Sequence, residues 1–263
     1  IMKNFALFLI LFFLTIVLTV NSCKKDEIIL NDPNTDITNP TSDNNGLCYP
    51  RNLSNDFDSV GIYHNDILDE FAEHIDPRGT LSDAFDVMDS VLISEFGSWV
   101  QPYLLDSSDV ALYFDGLEED TLKTFISGLS TSSTDKYYMT ELVDILARFD
   151  GSNACDIIDD IKDMEELLLN NYDPEDLPGT FTMASAGRFS AYYWENYTFP
   201  QSRWDWKKFW MVCGDAVGAA AGFFTGFYSS TPPNVIKGIA TAVTVSTSTS
   251  KTAGDLYDLF TKD

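Results

Sequence analysis

Both histidines of the chain, His64 and His74, fall in the stretch HNDILDEFAEH. Glu70 precedes His74 by four residues, so the two share a face if the stretch is helical. Asp66 and Glu73 are close by in sequence. Imidazole beside carboxylate is a donor set for a divalent metal, which makes Glu70 and His74 the nearest approach to a metal pair. His64 and His74, however, stand ten residues apart, about 80° from a common helix face, and no HExxH pattern occurs. The stretch therefore reads as ordinary surface or capping residues on an acidic helix, with no metal and no cofactor. Nor does a G-x-S-x-G elbow mark a nucleophile, and 41 acidic residues bring carboxylates together by composition alone. The expectation is a protein that is not an enzyme.

Two other constellations could make contacts. Tyr192, Tyr193, Trp194, Tyr197, Phe199, Trp204, Trp206, Phe209 and Trp210 crowd into a short stretch. Exposed, Tyr193, Trp194, Trp204, Trp206 and Trp210 would bind a sugar chain or a protein, because aromatic rings give large contact area at low entropic cost. Buried, they form the core between a helix at 181–198 and the segment after it, and burial is the reading favoured.

The second is CGDAVGAAAGFFTG, in which Gly214, Gly218, Gly222 and Gly226 recur every fourth residue. Residues four apart line one side of a helix, and each glycine costs about 1 kcal/mol relative to alanine. Close approach of another helix offsets that cost. In a membrane this would be a small-xxx-small face, and in a folded domain a tightly packed pair. Phe209 to Tyr228 is long enough to span a bilayer and contains one charged residue, Asp215. Against insertion, a carboxylate near the bilayer centre costs roughly 2.5–3.5 kcal/mol, and Gly and Ala supply little transfer energy. Packing within the domain is the expectation. Asp215 is expected in the first turn of a helix starting near Cys213, where it meets the positive end of the dipole. A start at Trp204 would instead make it a mid-helix carboxylate in need of a partner. The segment also resembles the Gly/Ala-rich hydrophobic ends of bacteriocin-type peptides, which insert in target membranes.

The elements that must carry these residues are helical. In ACDIIDDIKDMEELLLNN the apolar residues Ile157, Ile158, Ile161, Met164, Leu167 and Leu168 step by three and four, with acids between them. Similar spacing predicts helices over 63–75, 81–100, 119–129 and 135–149, with Asp76-Pro77, Gln101-Pro102 and Asp173-Pro174 marking ends. The segment 181–198 has helical spacing with an aromatic content that leaves a strand open. Residues 204–248 read as a helical hairpin about the turn SSTPPN, its second arm weakened by the β-branched run Val243 to Thr249. A short closing helix is expected at 253–261. The class is all-α, a helical bundle over 58–263.

The start of the chain concerns address. Met2-Lys3-Asn4, then the apolar run Phe5 to Val20, then Asn21-Ser22-Cys23 form a secretory leader over 1–22. Val20-Asn21-Ser22-Cys23 resembles the lipobox of bacterial lipoproteins, with Asn21 where a small residue is usual. Ser22-Cys23-Lys24-Lys25-Asp26-Glu27 is similar to the start of Bacteroidota-type lipoproteins. That resemblance implies an acylated Cys23, anchorage in the outer membrane, and display on its outer face or in the periplasm. His64-Asn65, Tyr193-Trp194 and Asp215-x-x-Gly218-Ala219 also resemble lipoproteins of that type, a likeness that implies no activity. Residues 23–57, rich in Asn, Asp, Thr and Pro, read as the lipidated cysteine and a flexible tether.

The net charge of −25 becomes −26 once the leader, with its single charged residue Lys3, is removed. Nucleic acid is thereby excluded as a partner, since it needs a basic footprint. Cys48, Cys155 and Cys213 remain beyond Cys23, so one disulfide can form in an oxidising compartment, its pairing open. Two roles are consistent with all this. One is a lipid-anchored helical domain that binds a protein or glycan at the cell envelope. The other is a membrane-active or self-assembling protein acting through the 204–248 hairpin.

Overall fold

A computed structural model describes residues 48–74, 81–104, 119–196, 205–228, 237–239 and 241–246. The leader, Cys23, the tether as far as residue 47, Trp204, the turn at 229–234 and the closing helix expected at 253–261 lie outside these residues. Among the described residues all regular structure is helical. The α-helices are α1 (Ser59–His74), α2 (Leu81–Phe96), α3 (Glu119–Gly128), α4 (Ser133–Leu146), α5 (Ala154–Leu169), α6 (Pro178–Asn196) and α7 (Asp205–Tyr228). Two 3-10 turns, Ser98–Tyr103 and Pro174–Asp176, separate α2 from α3 and α5 from α6.

The bundle is built around α6. A surface helix buries one apolar stripe, but α6 is buried at every position from Gly179 to Ala191. It is contacted by α1, α4, α5 and α7. Its sequence explains how four neighbours fit. Pro178 sits at the start, where a missing N–H costs nothing, and Ala184, Ala186, Gly187 and Ala191 keep the cylinder thin. At Gly187 an added Cβ would stand 3.1 Å from Leu146 of α4. At Gly61 of α1 it would stand 2.7 Å from the Ser185 carbonyl of α6, so α1 crosses where neither helix has bulk. The strand alternative for 181–198 is thus replaced by the most enclosed helix of the fold.

The polar caps are supplied largely by side chains. Ser132 accepts from the Asp135 N–H at the start of α4, as an N-cap serine does. The first N–H of α5, at Ala154, is taken by Glu195 of α6 at 3.1 Å. Gln101-Pro102, expected as a helix end, lies inside the 3-10 turn that follows α2. Gly97 reverses the chain before it at φ +88°, a backbone that non-glycine residues rarely adopt.

One expectation changes, and a pairing that the sequence left open is fixed. Residues 48–57, read as tether, are packed into the domain: Phe57 and Asn55 are buried, and Phe57 meets Phe223 of α7 edge-on at 5.2 Å. The disulfide is Cys48–Cys155, with the Cα atoms 5.1 Å apart, and it fastens this segment to the first turn of α5. The acidic and Asn-rich composition of the stretch hid two anchors, a cysteine and a phenylalanine, within ten residues of each other.

Candidate functional site

Arg188 is the single charged residue between Pro178 and Trp194, and it has no solvent exposure. A guanidinium cannot shed its charge, so burial demands partners. Its Nη2 donates to Asp58 Oδ1 at 2.7 Å and to Glu165 Oε1 at 3.0 Å. Nε lies 3.0 Å from Glu165 Oε2, as an ion pair rather than an aligned hydrogen bond. Glu165 also accepts from Asn55 at 2.6 Å and Asn52 at 2.8 Å, and Asn55 reaches the Phe181 carbonyl at 2.9 Å. Burial pushes the Asp58 carboxyl above its ordinary range, with Arg188 pulling the other way. Half-buried Lys162, which donates to the Tyr49 carbonyl, is held below the usual lysine range, by burial first and by Arg188 next. This cluster joins α5 and α6 with the chain at 49–58, which leads into α1.

A second cluster lies nearer the far end of α6. His64 of α1, Ser190 of α6 and Asp215 of α7 are all fully buried. Asp215 Oδ2 accepts from the Ser190 hydroxyl and from the Trp194 indole N–H at 3.1 Å, and His64 Nε2 stands 3.3 Å from it. His64 Nδ1 is 2.9 Å from Asn65 Oδ1, while Asn65 Nδ2 donates to the Phe189 carbonyl at 3.1 Å. With its amide nitrogen committed to a carbonyl, Asn65 presents oxygen to the ring, which assigns a proton to Nδ1.

These residue types are those of a hydrolytic triad, and their wiring is not. In a triad the imidazole stands between hydroxyl and carboxylate, taking the proton of one while the other orients it. Here the carboxylate stands between the other two, and Ser190 spends its proton on Asp215. Nucleophile and base do not meet, and the arrangement fastens α1, α6 and α7 together.

A third cluster caps α6. Asp135 of α4, fully buried, accepts from the Thr180 N–H at 2.8 Å, the Thr180 hydroxyl at 2.6 Å, the Gly179 N–H at 3.2 Å and the Thr131 hydroxyl at 2.7 Å. A carboxylate at a helix N-terminus satisfies orphan donors and the dipole together.

The residues singled out from the sequence scatter across the fold. His64 is a core residue, not a surface or capping one, whereas exposed His74 only meets the Glu70 carbonyl, at 2.7 Å within its own helix. Asp215 is not in a first turn: α7 starts ten residues earlier, at Asp205, and the carboxylate finds the partners that a mid-helix position requires. Trp194 is buried with its N–H spent on Asp215, which removes it as a binding aromatic. Tyr193 is half-buried and packs edge-on against Trp194 at 4.9 Å. Trp206 and Trp210 lie on α7, with side chains outside the described residues. Gly214, Gly218, Gly222 and Gly226 are all buried. A Cβ on Gly222 would stand 2.9 Å from the Ala242 Cα, and one on Gly226 would meet Lys237 and Thr241, so this end of α7 lies against its own returning chain. That chain is helical at 237–239 and 241–246 despite its β-branched residues.

Arg188, Asp58, Glu165 and Asp135 were not anticipated. Arg188 carried a signal, a lone charge in a long stretch of small and apolar residues. Glu165 looked like one acid among many.

Among the described residues few large apolar groups are exposed. Two of them, Tyr137 at 57% and Leu167 at 60%, lie on α4 and α5. Between these helices runs a trough of about 570 Å³ lined by Glu141, Asp144, Ile145, Arg148 and Met164. No protein family, no curated protein and no solved structure matches the chain.

Proposed function

We propose that this is an exported, lipid-anchored helical domain that works by binding a protein or glycan at the cell envelope rather than by catalysis. The observation that carries the reading is the Cys48–Cys155 disulfide. Such bonds persist in oxidising compartments, to which a leader like residues 2–22 would deliver the chain. The position of the bond adds support. It pins the domain at the point where the chain arrives from Cys23, as suits a body held by its amino end. Two further features favour binding over chemistry. The buried carboxylates packed around α6 (Asp58, Asp135, Glu165 and Asp215) each accept from neighbouring side chains or helix-end N–H groups, and two of the large apolar groups left exposed, Tyr137 and Leu167, lie on the open face of α4 and α5.

The alternative, a membrane-active or self-assembling hairpin, has less behind it. Gly222 and Gly226, which would have to face lipid or another copy, are covered by the chain at 237–242. Among the described residues no helix is long and apolar enough to cross a membrane.

The test is mass spectrometry of the native product under non-reducing conditions. The expected mature chain starts at an acylated Cys23 and contains the Cys48–Cys155 peptide pair. An uncleaved leader or an unmodified thiol at Cys23 overturns the reading.

A further inference from the structure

The trough between α4 and α5 is amphipathic in a way that selects a partner. Along α4 and just past its end, Tyr137, Glu141, Asp144 and Arg148 follow one another at steps of four, three and four, which places them on one stripe. On α5, Asp160, Met164 and Leu167 do the same. The two stripes meet at one end through Arg148 and Asp160, an ion pair at 2.8 Å. At the other end Tyr137 stacks edge-on against Tyr138 at 5.1 Å, and Tyr138 against Tyr172 at 6.0 Å. Ile145 and Met164 supply an apolar lining between these ends, with Leu167 on the α5 side. From Tyr137 to Arg148 is eleven residues, roughly 16 Å at 1.5 Å per residue, the length of about three turns of helix.

The charges along the lips are unbalanced. Asp144 is paired with Lys123 and Asp160 with Arg148. Glu141 and, one turn before Leu167 on α5, Asp163 have no cationic partner among the described residues. An apolar lining, an aromatic end and a surplus of carboxylates are complementary to a helix with one apolar and one basic face, which lays its apolar side chains into such a groove. Tyrosine faces add attraction for cations. A second copy of this chain is disfavoured by its net charge of −25.

We propose that the α4–α5 trough docks a cationic amphipathic segment of a partner protein. This rests on the binding role proposed above and names its surface and partner class. The probe is a fluorescein-labelled peptide of leucine and lysine at helical spacing, about fourteen residues long, titrated into the full mature chain at about 150 mM salt, where the Debye length is about 8 Å. The leucine–lysine peptide should bind. Tyr137→Ser with Leu167→Ser, both exposed and so tolerable to the fold, should weaken it at least about tenfold, as loss of anchoring side chains does. Glu141→Lys should weaken it comparably. Asp66→Lys with Asp69→Lys, on α1 away from the trough, should change affinity less than about twofold.

Equal losses from the two charge reversals, equal binding of a leucine-free oligolysine, or no binding at all would each overturn the proposal. So would sedimentation showing a dimer that Leu167→Ser dissolves, which would make the occupant a second copy. Acylation and cleavage at Cys23 do not depend on the trough, so failure here leaves the lipoprotein reading to its own test.

Discussion

The two sides of α6 hold their neighbours by opposite means. Toward α5 and the chain that leads into α1 the joint is charged and directional: one guanidinium, two carboxylates and two asparagines, each at a fixed distance from the next. On the α7 side the joint is mostly shape. Gly179 of α6 leaves room for Phe224, whose ring would stand 2.6 Å from a Cβ there, and Gly222 and Gly226 let the returning chain close behind. Asp215 with its three neighbours is the polar exception on that side. A charged joint fixes one arrangement, because any other leaves an unpaired ion in the core. A close-packed joint without charges is fixed only by what fits.

The widest separation between the two joints should come from Arg188→Met. Removing one member of a buried ion cluster leaves the others uncompensated, at a cost of about 3–5 kcal/mol. Urea unfolding should show that loss, and adding Asp58→Asn with Glu165→Gln to the Arg188→Met variant should restore part of it. A loss below about 1 kcal/mol would mean that the cluster is no more than a surface pair in effect. On the other side, Gly226→Val should cost about 1–3 kcal/mol by overpacking, with no recovery from any charge substitution. If Gly226→Val were neutral, the close approach of the 237–241 chain would not govern this joint.

The smallest effect concerns a carboxylate that lacks what Asp58 has. Asp89 of α2 is half-buried, and burial, followed by the nearby Asp86, raises its pKa from 3.8 to about 6. The unfolded chain ionises first, so the folded state binds more protons between about pH 4 and 6, and stability falls as pH rises through that window. Asp89→Asn should abolish this part of the fall and stabilise the protein slightly at neutral pH, an effect that solvent screening keeps modest. Denaturant midpoints at about pH 4.5 and 7 for both chains measure it. An unchanged slope would show that Asp89 titrates as it does when unfolded.

The sequence made the helices legible because their apolar spacing is regular: α5 shows Ile157, Ile158 and Ile161 on its inner face, as expected, and all are buried. It misled where a residue's role depends on a partner far along the chain. His64 and Asp215 are 151 positions apart by their numbers, and neither contains a hint of the other. Leu167, counted on the apolar stripe of α5, is exposed, while the adjacent-looking acid Glu165 is buried, because Arg188 draws the carboxylate inward. Periodicity reports which face is apolar on average, and a single buried cation can rotate that preference locally.

The place of the disulfide has a mechanical consequence. A pull on the chain from its amino-terminal side arrives at Cys48 and crosses directly to Cys155, at the head of α5. The intervening stretch, 107 residues of sequence separation that include α1 through α4, is bypassed and carries no share of that tension. Under the anchorage proposed at Cys23, drag on the body would enter through a covalent strut at the head of α5 and pass from there into α6, the helix packed against it.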